Sequence, residues 1–195
     1  MAETAQSLDL EIDRVTGWIA GVRRVESPNC NERPAGCRPE LIVVHAISLP
    51  PGEFGGPWVE RFFQNDLPAD EHPYFREIGH LRVSAHALIR RTGEMIQFVP
   101  FLRRAWHAGE SEHCGRRECN DFSVGIELEG TDDTPFEEIQ YQRLAELIRG
   151  LREAYASLGD ADIVGHCDIA RDRKTDPGPF FDWRRLEREI AELEG

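Results

Sequence analysis

His45, His166 and Asp176 are side chains of the types that ligate a divalent cation, and they lie far apart in the chain. Asp176 follows His166 by ten residues, in the segment Gly165-His166-Cys167-Asp168-Ile169-Ala170-Arg171-Asp172-Arg173-Lys174-Thr175-Asp176-Pro177-Gly178, which ends on a turn-forming Pro-Gly. His45 closes the apolar run Leu41-Ile42-Val43-Val44. Two imidazoles and one carboxylate leave a fourth tetrahedral position open, the pattern of a catalytic rather than a structural zinc. Such an ion lowers the pKa of water to about 7 and suits hydrolysis of an amide or ester. A lone histidine is more often a buried, hydrogen-bonded core residue. The joint placement of two, with Asp176 and Lys174 on one loop, outweighs that reading here.

Hydrolysis also needs a proton acceptor. In Ser123-Val124-Gly125-Ile126-Glu127-Leu128-Glu129, alternation puts Glu127 and Glu129 on one face and Ile126 and Leu128 on the other. Glu127 is the better candidate, because it lies inside the apolar segment, where desolvation raises a carboxyl pKa. Lys174 is the candidate donor to the oxyanion that develops at an attacked carbonyl. His107, beside Trp106, is a pocket-lining candidate, and His86 a core or supporting histidine. The ligand count leaves both open as further ligands. His72, His80 and His113 read as loop or surface residues.

The elements that position these groups are short. Residues 41–45 read as a buried strand, rich in β-branched residues and too short for a helix. The Gly- and Pro-dense residues 48–57 form an irregular loop, followed by a short helix over 58–64. Residues 83–90 and 94–99 flank a hairpin turn at Thr92-Gly93, and 123–129 and 163–166 are further strands. The longest helix has Thr134 as N-cap, Pro135 at its first position and Glu137 completing a capping box. Leu144, Leu147, Leu151, Tyr155 and Leu158 keep a helical period up to Gly159. A final helix after Asp182 shows Trp183, Leu186, Ile190 and Leu193 on one face. Interleaved strands and helices predict an α/β fold: a single layered domain over residues 16–195, with a mixed central sheet flanked by helices, preceded by a flexible arm over 1–15.

Composition narrows the function classes. At 195 residues the chain suits one domain, 40% hydrophobic and 30% charged. A net charge of −13 excludes the basic surplus that nucleic acid or an anionic membrane requires. No apolar run reaches membrane-spanning length, and the N-terminus lacks the pattern of a secretory signal, so cytoplasmic residence is expected. Five cysteines, an odd number, fit free thiols in a reducing compartment better than a disulfide framework or a four-cysteine metal site.

The strings VVHAISLPPGEFGGPW, HLRVSAHALIRR, RAWHAG, CNDFSVGIELEGTD and GHCDIARDRKTDPGPFFDW closely resemble the zinc-dependent N-acetylmuramoyl-L-alanine amidases of bacterial peptidoglycan recycling. That family is related in fold to peptidoglycan recognition proteins and phage amidases. The resemblance runs from about Gly17 to Trp183. It implies His45, His166 and Asp176 as zinc ligands, Glu127 as catalytic acid/base and Lys174 as transition-state stabiliser. It implies a small 1,6-anhydro-muropeptide as substrate, cut between the lactyl group of the muramic sugar and L-alanine; nothing in the sequence suggests an obligate partner, so a monomer is expected. Trp106 is then expected at the sugar, Arg82 at the peptide carboxylates, and Ala170 at the substrate through its backbone. Two positions depart from the family pattern: Ala46 stands where asparagine is expected, and Glu118 where arginine is expected, with Arg117 one residue earlier as a substitute. A non-catalytic muropeptide sensor is the rival class, but sensors typically lack the complete ligand set. A secreted lytic amidase is the third, disfavoured by the missing signal.

Overall fold

Among the described residues, 10–194 of this computed structural model, two short strands, β1 (Arg23–Arg24) and β2 (Cys30–Asn31), precede the long β3 (Leu41–Ile47). Helices α1 (Trp58–Phe63) and α2 (Pro73–Ile78) follow, then β4 (Ala87–Ile89), β5 (Met95–Gln97), β6 (Arg104–Ala105), β7 (Glu112–His113) and β8 (Arg116–Arg117). The second long strand, β9 (Ser123–Glu129), leads into α3 (Glu138–Ala154), β10 (Ile163–Gly165), the single turn α4 (His166–Ile169) and α5 (Trp183–Glu194).

Six strands form one sheet in the order β1-β5-β4-β9-β3-β10. Only β4 and β5 pair antiparallel, across the turn expected at Thr92-Gly93; every other neighbouring pair is parallel. The sheet is therefore mixed, as expected for an α/β domain. β9 lies between β3 and β4 and all seven of its residues are buried, the usual state of a strand covered on both faces.

Alternation decides what each face carries. Ile42, Val44, Val124, Ile126 and Leu128 pack under α3 and α5 with Leu144, Leu147, Ile148, Leu151, Leu186 and Ile190. Each large aliphatic side chain buried in this way contributes about 1.5–3 kcal/mol. Packing of this kind, more than intrinsic propensity, holds a helix such as α3. The opposite face carries an aromatic cluster of Phe62, Phe63, Phe75 and Phe98 under α1 and α2. A smaller group contains Leu41, Val43, Cys119, Phe122 and Ile169. Between these two clusters the same face turns polar.

Several boundaries differ from the sequence expectation. β3 runs two residues past His45, so that histidine sits within the strand rather than at its end. β10 stops at Gly165, and His166 opens α4, because the Asp168 carboxylate accepts the Gly165 amide at 2.7 Å and closes a helical turn. α3 starts at Glu138 rather than near Pro135. The Thr134 hydroxyl is engaged with Thr131 and Asp133, while Gln140 accepts the Glu137 amide at 3.0 Å and donates to the Ile89 and Glu129 carbonyls. Tertiary bonds to two strand ends thus override the local capping pattern. The helix ends at Ala154; Tyr155 is extended and Leu158 belongs to a separate short turn, although both remain buried.

Residues 1–9 of the arm expected over 1–15 lie outside the described residues. Within its remainder Ile12 is 7% exposed, bridges Ile19 and joins the core, with Leu10 packed against it. No helix among the described residues is long and apolar enough to cross a membrane. All five cysteines are free.

Candidate metal centre and catalytic site

The polar face is built by strand register. In the parallel pairing of β3 with β9, His45 stands opposite Glu127 and Val43 opposite Gly125. β10 lies on the other side of β3 with Gly165 opposite Val44, so His166, one residue on, comes level with His45. The loop after α4 returns Asp176 to the same place, where its carbonyl accepts the Cys167 amide at 2.9 Å. Gly178 then turns with φ +82°; a Cβ there would lie 2.4 Å from the Asp132 Cα, so the close return of this loop requires glycine.

His45 Nδ1 and His166 Nδ1 are 3.0 Å apart, and Asp176 Oδ2 lies 3.3 and 3.2 Å from them. His166 Nε2 is 3.1 Å from the Ala108 carbonyl oxygen. A carbonyl only accepts, so the His166 proton sits on Nε2 and Nδ1 is a bare lone pair. A tetrahedral ion with bonds of about 2.0–2.1 Å separates its ligands by about 3.3–3.4 Å, close to the edges of this triangle. The donor set therefore fits a small divalent cation. A second group, His113, Cys114 and Asp162, also has ligand-type atoms close together. It is largely exposed, and its imidazole already bonds Asp162 at 2.9 Å.

Electrostatics divide these groups by role. Burial pushes the His45 imidazole down to about 4, against the opposing pull of Asp176, so it is neutral and ready to ligate. Burial alone would raise Asp176, but the two imidazoles beside it hold its carboxyl well below the usual range. Glu127 is raised well above 4.5, first by burial and then by Asp176, with Lys174 acting in the opposite sense. Its Oε2 is buried with no hydrogen-bond partner. A buried carboxyl with a raised pKa and no structural partner is a candidate for proton transfer. Lys174 is anchored by its amide to the Ala170 carbonyl at 3.0 Å.

Of the expected site residues, the structure thus gathers His45, His166, Asp176, Glu127 and Lys174. Ala170 and Arg117 line a neighbouring cleft of about 1250 Å3 together with Glu118, Asp168 and Arg173. Arg117 pairs with Glu112 at 3.2 Å. Trp106 donates its indole N–H to Asn31 at 2.6 Å. Arg82 is exposed and donates to the Gly79 and Leu81 carbonyls of its own loop, away from that cleft's lining.

His107 is absent from the lining of the cleft that holds Ala170 and Arg117. It is 8% exposed and stands behind His45, with His45 Nε2 and His107 Nδ1 2.9 Å apart. His86 is a core histidine, accepting the Gly125 amide on Nδ1 and 3.0 Å from the Arg103 carbonyl on Nε2. Neither is grouped with the three ligand atoms. Sequence reading missed Ser123, Asn120 and Ala108, which hold His107 and His166. One signal for them was available: a glycine inside a strand marks close approach, and a Cβ on Gly125 would lie 2.4 Å from the His107 ring.

The loop over residues 48–57 is tied to the same strand. Glu129 accepts the Gly55 amide at 2.6 Å and pairs with Arg90, which bridges to Glu60 and the Gly56 carbonyl.

A family described as N-acetylmuramoyl-L-alanine amidase matches residues 35–179, a stretch that contains every gathered site residue. The 1,6-anhydro-N-acetylmuramyl-L-alanine amidase AmpD of Escherichia coli (strain K12) is 58% identical over 170 residues, 87% of this chain and 92% of that protein. A crystal structure of a Se-Met AmpD derivative matches with a TM-score of 0.88 at 54% identity, over 92% of this chain and 98% of the other. The Escherichia coli amidase AmiD, in complex with the substrate anhydro-N-acetylmuramic acid-L-Ala-D-gamma-Glu-L-Lys, matches with a TM-score of 0.54 at 28% identity, over 82% of this chain and 61% of that one.

Proposed function

The chain belongs to the N-acetylmuramoyl-L-alanine amidase family, and from that premise we propose that it is a zinc-dependent 1,6-anhydro-N-acetylmuramyl-L-alanine amidase acting on small anhydromuropeptides in the cytoplasm. The bond cut is the amide between the lactyl group of the muramic sugar and L-alanine. One observation carries the reading: a triangle of lone-pair atoms from His45, His166 and Asp176 lies beside the unpartnered carboxyl of Glu127.

His45, His166 and Asp176 would hold the ion, and two nitrogen donors with one oxygen favour zinc over calcium or magnesium, which take oxygen ligands. When bound, zinc supplies Lewis acidity that makes water a nucleophile near neutral pH. Glu127 Oε2 accepts the proton of the attacking water. Glu127 then returns that proton to the alanine nitrogen as the amide bond breaks. Lys174 supplies positive charge to the carbonyl oxygen as it becomes anionic. Burial around Glu127 excludes competing water and keeps its affinity for the proton high. Arg117, Trp106, Ala170 and Arg82 are assigned to substrate binding, with Arg117 and Ala170 favoured by their place on the cleft.

The test is hydrolysis of a purified anhydromuropeptide with and without a strong chelator, following release of the free peptide. Zinc-restored turnover is the expected result. Binding of the muropeptide without any cleavage would make the chain a sensor instead, and full turnover in chelator would overturn the metal reading.

A further inference from the structure

Both candidate ligand imidazoles are gripped at their far nitrogens by two consecutive residues. The Ala108 carbonyl takes the Nε2 side of His166, and Arg173 reinforces that carbonyl at 2.6 Å. The His107 ring takes the Nε2 side of His45. The amides of His107 and Ala108 both donate to Asn120 Oδ1, at 3.0 and 2.8 Å, which fixes the backbone of the pair.

Proton positions follow from the one partner that has no choice. Ser123 Oγ is 2.6 Å from the Cys119 carbonyl, which only accepts, so the serine proton is committed there. The same Oγ, 3.1 Å from His107 Nε2, must then accept from that nitrogen. His107 Nδ1 is consequently bare and accepts from His45 Nε2. His45 Nδ1 is left as a lone pair, beside His166 Nδ1 and Asp176 Oδ2. Turning the serine hydroxyl toward His107 reverses every step. His107 would then carry its proton on Nδ1, His45 would carry its own on Nδ1, and the ligand atom would be blocked.

We propose that His107 is a positioning residue which, locked by Ser123, sets the tautomer of His45 and so keeps its Nδ1 open for the cation. The inference rests on reading His45, His166 and Asp176 as a metal centre. Groups that orient a ligating histidine typically change metal affinity by about 10–100-fold when removed. The ring is held in place by its packing on Gly125, and that close approach explains a glycine in the middle of a central strand.

Two measurements test it: zinc affinity by competition with a chromophoric chelator, and nitrogen NMR of the histidine rings in the metal-free protein. In the wild-type chain, His45 and His107 should both carry their protons on Nε2. His107→Phe keeps a ring but removes the acceptor, and should weaken zinc binding by about 10–100-fold. His107→Asn places an amide oxygen near the lost Nδ1 and should restore most of that affinity. Ser123→Ala should mix the tautomers of both rings and weaken zinc binding less than His107→Phe does. A metal-free His45 protonated on Nδ1, or wild-type zinc affinity in His107→Phe, overturns the proposal. Loss in His107→Asn equal to that in His107→Phe, with the fold intact, does the same. If His107→Phe fails to fold, Ser123→Ala decides: unchanged affinity with unchanged tautomers sinks the idea. A wild-type chain that binds no zinc yet keeps the Nε2 tautomer overturns the metal reading alone and supports the relay.

Discussion

Glu127 stands opposite His45 in the parallel pairing of two neighbouring strands, and its Oε2 faces no hydrogen-bond donor. A side chain with period two cannot reach this arrangement by approximation, since a slip of one residue would send either group to the helix-covered face. The aliphatic residues on that face, Val44 and Ile126 among them, therefore fix where Glu127 and His45 meet.

Replacing Glu127 with Gln removes the proton acceptor while keeping shape. Turnover should fall by about 10²–10⁴-fold, with zinc content unchanged by elemental analysis. Near-normal turnover in this variant would show that another group moves the proton.

The same carboxyl should cost the metal-free protein stability. Its pKa is raised above 4.5 in the folded state, so the folded chain binds this proton more tightly than the unfolded chain. The stability tied to this group is complete below 4.5 and is lost as pH rises through the folded value. Glu127→Gln should therefore be more stable than wild type at neutral pH in chelator, with the advantage shrinking toward pH 4.5. Denaturant midpoints across pH read this out, and an advantage independent of pH would contradict it.

Buried histidines act with the opposite sign. Burial holds His45 down to about 4, His86 down to about 3, and His107 well below 6.5. Their contribution is present above 6.5 and is lost as pH falls, because the unfolded imidazoles take up protons first. Metal-free protein should begin losing stability below pH 6.5 and continue losing it through pH 4. Zinc release should follow the same direction, since ligating imidazoles must be neutral. A flat stability profile between 6.5 and 4 would refute this.

Metal binding should itself stabilise the fold. Free zinc at a thousand times its dissociation constant should add about 4 kcal/mol, seen as a higher Tm lost on chelation. Asp176→Ala should abolish most of that increment, and an equal zinc-induced shift in this variant would remove Asp176 from the ligand set.

Arg90 is the cation between Glu60 and Glu129, with all three side chains largely buried. Arg90→Met leaves Glu129 without its charge partner and frees the Gly56 carbonyl, so urea unfolding should show a loss of about 3–5 kcal/mol. Proteolysis of the 48–57 loop should also speed up. Wild-type stability in Arg90→Met would mean the network contributes nothing net.

The residue types alone pointed to the proposed chemistry: two histidines, an aspartate, a glutamate inside an alternating apolar strand, and a glycine and proline pattern that placed the loops. Those features are local, so composition and spacing express them directly. The strand containing Glu127 and the helix after Asp182 were legible for the same reason, a strong period over one apolar face. What the chain could not express was which histidine stands behind which. His86 and His107 are both buried, and only register between β3 and β9, with Gly125 opening space for a ring, puts His107 on His45 and leaves His86 in the core. The start of α3 shifted for a like reason, since Gln140 bonds to two strand ends that no local window contains. Side-chain identity sets what each group can do. Proton positions and partners depend on contacts between residues tens of positions apart, and those exist only once the sheet has closed.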